Sequence, residues 1–234
     1  DGETRSFDNM TIKKGWNNWY TGIGEELIES FSIRVPEGQR LDFPSTSVKN
    51  GLDDPTALQV WQTRTRYNDN SKKGNVLIAI YLRGDEWMLK NDWDDTPFFE
   101  GAKFNGFKLG KVVPGQWLDL IVRMVTNRKN GIVQIYSRKS GQQKYSLAYE
   151  YFGPFFGPID PKWIPEEIDV NEVVGLPSYG LYPSTRLSYD RVKNKWLERG
   201  IKRIEVNHSE LRLLQFPRGK APMDKIIESV EYYF

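Results

Sequence analysis

Along most of the chain, apolar and polar residues follow the two-residue period of a half-buried strand, not the 3.6-residue period of a helix. Runs rich in β-branched and aromatic residues and bounded by Gly, Pro, Asn or Asp predict strands over Leu27–Val35, Ala57–Tyr67, Val76–Arg83, Trp117–Val125, Ile132–Arg138, Lys144–Tyr149, Ile201–Val206 and Ser209–Gln215. Between the fourth and fifth, Asn127-Arg128-Lys129-Asn130-Gly131 ends in an Asn-Gly pair able to take positive φ, so these strands should form an antiparallel hairpin. Ser140-Gly141 marks the next turn. Only Met223–Phe234 changes period: Met223, Ile226, Ile227, Val230 and Phe234 share one helical face behind Pro222, which predicts a short helix closing one end of the domain. Regular strands without intervening helical patterns give the fold class: all-β, a jelly-roll (concanavalin-like) antiparallel sandwich with a C-terminal helix. No Gly/Ser/Pro-rich linker divides the chain, so the sandwich is expected over residues 1–221 and the helix over residues 222–234 of the same domain. Two long stretches, Asp85–Gly115 and Phe152–Gly200, show no clear period. Stretches of that length are expected to be functional loops or to hide short strands.

Composition narrows the classes of function. Apolar residues make up 38% and aromatic residues 14%, enough for a packed core and for stacking surfaces besides. The formal charge of +2, from 33 basic and 31 acidic residues, argues against a nucleic-acid partner. Without Cys there is no thiol nucleophile, disulfide framework or Cys-based zinc site. No apolar run approaches a membrane span, and Asp1-Gly2-Glu3-Thr4-Arg5 lacks a signal-peptide pattern. The expectation is therefore a mature secreted or periplasmic monomer with no membrane partner.

Strand parity then brings candidate chemistry together. Gln62, Arg64 and Arg66 share a face of one predicted strand, Tyr81 and Arg83 of the next, Arg123 lies opposite Leu120, Val122 and Met124, and Gln134, Tyr136 and Arg138 alternate with Val133 and Ile135. If these strands neighbour one another, one sheet face carries Arg, Gln and Tyr. Guanidinium groups bind carboxylates bidentately and aromatic rings stack on sugar faces, so this face suits an acidic polysaccharide. An ordinary solvated sheet face is the competing interpretation.

The segment Leu109-Gly110-Lys111-Val112-Val113-Pro114-Gly115-Gln116-Trp117-Leu118-Asp119-Leu120-Ile121-Val122-Arg123, followed by a polar turn and Gly131-Ile132-Val133-Gln134-Ile135-Tyr136, resembles a unit of jelly-roll polysaccharide lyases related to heparinase I and glucuronan lyase. Phe31-Ser32-Ile33-Arg34-Val35-Pro36 resembles an early strand of that group, Leu58-Gln59-Val60-Trp61-Gln62 its Gln/Trp strand, and Tyr179-Gly180-Leu181-Tyr182 its Gly-x-Tyr strand, all in the same order. Two departures stand out: Gln62 occupies a position where many relatives have His, and Ser137-Arg138-Lys139-Ser140-Gly141 replaces an Asp-Gly turn. The resemblance implies β-elimination on a uronic-acid polymer. No cofactor is expected, with a structural calcium left open at the acidic pairs. Tyr182, Arg123 and Gln62 are the candidate catalytic residues, and Arg64, Arg66, Tyr81, Arg83, Gln134 and Tyr136 the candidate substrate-binding ones. Tyr179 and Tyr189 rival Tyr182.

A competing motif lies at Glu167-Ile168-Asp169-Val170-Asn171-Glu172, which resembles the Glu-Ile-Asp-x-x-Glu signature of laminarinase and agarase-type hydrolases. There Glu167 would be nucleophile, Asp169 helper and Glu172 acid/base. Pro161 and Pro165 interrupt the approach to that strand, and the Trp-strand unit precedes the motif where those hydrolases have it following. The single histidine, His208, lies far in sequence from the groove candidates; one His and no Cys disfavour a transition-metal site, and a serine triad would have to recruit this same residue without a nucleophile-elbow sequence. Asp53-Asp54 and Asp92/Asp94-Asp95 lack ordered calcium-ligand spacing, and Trp87 and Trp93 are candidate sugar platforms or buried edge residues. Three functions therefore stand: a lyase on a uronate polysaccharide, a non-catalytic carbohydrate-binding module, and a retaining hydrolase.

Overall fold

The computed structural model describes residues 26–42, 45–49, 52–55, 57–66, 73–93, 103–155, 174–184 and 189–231. Two antiparallel sheets stack face to face. Sheet I has the order β11 (Val174–Ser184), β4 (Ala57–Arg66), β5 (Lys73–Arg83), β6 (Glu86–Trp93) and β7 (Lys103–Lys111). Sheet II has the order β10 (Ser146–Phe155), β9 (Asn127–Lys139), β8 (Leu118–Val125) and β1 (Glu26–Arg34). Two short strands, β12 (Asn207–His208) and β13 (Arg212–Phe216), pair with opposite ends of β1's other edge. A separate ribbon joins β2 (Ser45–Lys49) to β3 (Leu52–Pro55).

Alternation explains the layering. On β8, Leu118, Leu120, Val122 and Met124 face inward against Ile80, Leu82, Leu89 and Trp61 of sheet I. Phe31 of β1 stacks on Trp61 with ring centroids 5.3 Å apart, tying the layers at their centre. Each such fully buried side chain contributes about 1.5–3 kcal/mol of transfer free energy. Among the described residues a single carboxyl group lies in this apolar layer. Glu29 of β1 is completely buried, accepting hydrogen bonds from Trp61 Nε1 at 2.8 Å and Thr63 Oγ1 at 3.0 Å. Burial pushes its pKa up to about 8, against the opposing pull of those two bonds.

The two aperiodic stretches do hide strands, β6, β7 and β11, together with a helix, α1 (Tyr189–Glu198). Other expectations change: residues 201–206 form no strand. The hairpin of β8 and β9 forms, but Gly131 is not at positive φ. It is glycine because a Cβ there would collide with Phe155 and come within 2.9 Å of the Gly153 carbonyl on β10. The C-terminal helix α2 (Met223–Glu231) exists, but it does not close an end of the sandwich. Its Ile226 and Val230 bury against Ile28 and Ile121, on the outer face of sheet II, because those two residues are apolar where alternation calls for polar ones. Trp87 is a core residue and offers no sugar platform.

Candidate functional site

The outer face of sheet I collects polar chemistry in two registered rows. In the first, Tyr182 of β11 stands opposite Gln59 of β4, Gln59 opposite Tyr81 of β5, and Tyr81 opposite Met88 of β6. In the second, Ser178 stands opposite Gln62, Gln62 opposite Ala79, and Ala79 opposite Lys90. Residues opposed in this way hold their Cβ atoms about 5 Å apart, so Tyr182, Gln59 and Tyr81 occupy three adjacent positions. Arg83 lies two residues beyond Tyr81 on the same face of β5, and Arg64 and Arg66 occupy alternate positions after Gln62, opposite Leu176 and Val174 of β11.

Two irregularities create this arrangement. In strict alternation Gln59 and Gln62, three apart, fall on opposite faces. An extra residue at Val60, between the Gln59–Tyr81 and Trp61–Ile80 pairs, returns both glutamines to the outer face and leaves Leu58, Val60 and Trp61 in the core. At the same level β11 carries its own extra residue between Tyr179 and Tyr182. Tyr179 therefore pairs with the core residue Trp61, and Tyr182 with the outer residue Gln59. The backbone thus separates the two rival tyrosines, while the third, Tyr189, begins helix α1.

The amide pair is held by an internal hydrogen bond. Gln59 and Gln62 are nearly buried, and Gln59 Nε2 donates to Gln62 Oε1. That bond fixes which end of Gln62 is nitrogen and leaves its Nε2 as a donor. From sheet II, His208 of β12 reaches the same bulge, its Nε2–H donating to the Val60 carbonyl at 2.9 Å. Burial lowers the pKa of His208, so the ring is held neutral with its proton on Nε2. The residue that seemed remote in sequence thus contacts the backbone between the two glutamines. Lys90, in a stretch without strand period, is a second position that sequence alternation did not reveal.

The single groove expected from parity does not form, because Arg123, Gln134 and Tyr136 lie on sheet II. There Arg123 pairs with Glu26, whose side chain is fully buried, and Arg123 Nη1 donates to Gln134 Oε1 at 2.7 Å. Gln134 Nε2 in turn donates to Glu150 Oε1 at 2.5 Å. Tyr136 packs beside helix α2, and burial raises its pKa, opposite to what a phenolic base requires. Glu167, Asp169 and Glu172 lie outside the described residues, as do Asp94 and Asp95. Among the described residues no group of His, Asp and Glu is arranged to hold a metal ion, and no helix is long and apolar enough to cross a membrane.

No protein-family model matches the chain, and no curated protein matches it in sequence. Its fold is that of a solved polysaccharide lyase. An endo-β-1,4-glucuronan lyase from the fungus Trichoderma reesei superposes with a TM-score of 0.53 at 14% identity, over 84% of this chain and 71% of that one. A marine PL-14 alginate lyase from Aplysia kurodai gives 0.48 at 10% identity, over 84% and 72% of the two chains. An alginate lyase from Pseudomonas aeruginosa gives 0.41 at 15% identity, over 82% of this chain and 65% of its own length. The jelly-roll likeness to glucuronan lyase inferred from short sequence pieces holds at the level of fold.

Proposed function

We propose that the outer face of sheet I cleaves a uronic-acid-containing polysaccharide by β-elimination. The observation that carries this is the row Tyr182–Gln59–Tyr81 beside the bonded pair Gln59–Gln62. The reaction removes the proton at C5, α to a carboxylate, and expels the glycosidic oxygen at C4. It needs donors that take up charge on the carboxylate, a base at C5 and an acid for the leaving oxygen. Gln62 Nε2 is a donor aimed by its partner, and Arg64, Arg66 and Arg83 supply cationic charge along the same face. Tyr182 is the base and then the acid: its phenolate takes the C5 proton and the phenol returns a proton to the leaving oxygen. The likeness in fold to a glucuronan lyase supports the substrate class. The polymer's location implies export, and the active unit is a monomer without a cofactor.

Incubation with polyglucuronate and alginate tests this directly. A new ultraviolet absorbance from the unsaturated product identifies a lyase, reducing ends without absorbance a hydrolase, and retention without cleavage a binding module. Tyr182→Phe keeps the ring and removes the proton carrier. It is expected to fold and bind polymer normally while losing at least about a hundredfold in turnover. Near-normal turnover in that variant would reject Tyr182 and pass the role to Tyr81.

A further inference from the structure

On the opposite side of the molecule, the outer face of sheet II carries a cleft of about 500 Å³ near the turn between β9 and β10. Its lining includes Ser32 of β1, Asp119 of β8 and Arg138 of β9, consecutive partners in one cross-strand row, with Trp117, Gln142 and Ser209 around them. Four polar groups there have unused capacity. Arg138 Nε and Nη2 both bond Asp119 Oδ2, at 2.9 and 2.8 Å, so Arg138 Nη1 and Asp119 Oδ1 have no partner among the described residues. Gln142 Oε1 accepts from the Lys139 amide at 2.8 Å, and Gln142 Nε2 has no partner among the described residues. Ser32 Oγ is buried and unpartnered, although Ser32 pairs with Asp119 across the strands.

An unmade bond is costly at the buried Ser32 Oγ, and the charged side chains beside it are held in place beforehand. The Arg138 guanidinium lies over the Tyr145 ring at 4.8 Å, and Arg34 covers Trp117 at 4.6 Å, so both side chains are ordered before any ligand arrives. The mixture selects the ligand. A carboxylate or sulfate would be repelled by Asp119, and a cation by Arg138. A hydroxyl group, which donates and accepts at once, satisfies Asp119 Oδ1 and Ser32 Oγ together, and its vicinal neighbour meets Arg138 Nη1 or Gln142 Nε2. Trp117 is the only large apolar side chain among the cleft's described residues, which leaves no pockets for peptide anchors.

We infer that this cleft is a second glycan-binding site, which takes a neutral pyranose unit through a vicinal diol, on the face remote from the Tyr182 row. Titration of the ¹⁵N-labelled full chain with cellohexaose, a neutral probe outside the proposed reaction, is the test. Amide shifts should concentrate at Ser32, Asp119 and residues 139–142, and leave Gln59, Gln62 and Tyr81 unmoved. Ser32→Ala removes an oxygen with no protein partner, so the melting temperature should stay level or rise while affinity falls about tenfold. Gln142→Ala, on the exposed turn, should weaken binding similarly. The inference is overturned if cellohexaose shifts none of these amides, if shifts appear only on sheet I, or if both variants bind like the parent.

Discussion

Glu29 gives the fold a pH dependence that can be isolated with one substitution. Its carboxyl has an ordinary pKa of 4.5, and burial between the sheets raises it to about 8. Because the folded value lies above the unfolded one, the native state keeps a proton between these limits that the unfolded chain has already released. The contribution is full below pH 4.5 and is lost as pH rises towards 8, at about 1.4 kcal/mol per pH unit. At pH 7.5, three units above the ordinary value, the penalty reaches about 4 kcal/mol, a large share of a typical domain's stability. The group accepts the Trp61 N–H on one oxygen and bonds the Thr63 hydroxyl through the other. A glutamine amide keeps both contacts, its oxygen accepting from Trp61 and its nitrogen donating to the hydroxyl, which can turn to accept. Glu29→Gln should therefore match the parent near pH 4 and exceed it by about 4 kcal/mol at pH 7.5. Urea unfolding at half-unit pH steps, followed by tryptophan fluorescence, measures the difference, and every other titrating group cancels in it. Parallel pH profiles for the two proteins, or a gap that narrows as pH rises, would refute the assignment of a neutral Glu29.

Two further substitutions test the layering. Arg123→Ala strands the fully buried carboxylate of Glu26, which also accepts the Ala221 amide at 3.2 Å ahead of helix α2, and is expected to cost about 3–5 kcal/mol in chemical unfolding while leaving the proposed turnover at sheet I unchanged in the folded protein. Loss of that turnover without loss of stability would assign Arg123 a catalytic role instead. Gly131→Ala forces a Cβ against Phe155 and the Gly153 carbonyl and should lower stability by about 1–3 kcal/mol, read as a drop in melting temperature. An unchanged melting temperature would show that β9 and β10 can separate freely at that point.

Strands with clean alternation, such as β1, β5 and β8, were legible in the sequence because one face of each is continuously apolar. Others hid for identifiable reasons. Strand β7 has Gly106 and Gly110 and little apolar periodicity, and β11 contains Pro177 and Pro183, which a strand paired only with β4 tolerates. Parity also says which residues share a face of one strand but not which sheet that strand joins. Gln62 and Arg123 could therefore be aligned on paper while facing opposite sides of the molecule. The site was half legible: Gln62, Tyr81 and Tyr182 follow from pattern and resemblance, whereas Gln59 and Lys90 depend on a bulge and on an unrecognised strand.

The pairing of β1 has a consequence for how the chain reaches its native state. One edge of β1 is closed by β8, roughly ninety residues downstream, but the other waits for β12 and β13, with Ser32 bonding Ser209 across 177 positions and Glu26 reaching Ala221 across 195. At a synthesis rate of roughly 5–20 residues per second, that second edge stays open for about 9–36 s after β1 has emerged. An unpaired, apolar edge exposed for so long is a template for association with other nascent chains, and the closure it awaits is a slow, high-contact-order step. Expression at reduced temperature or with chaperones should therefore govern the yield of folded protein more strongly than any single core substitution.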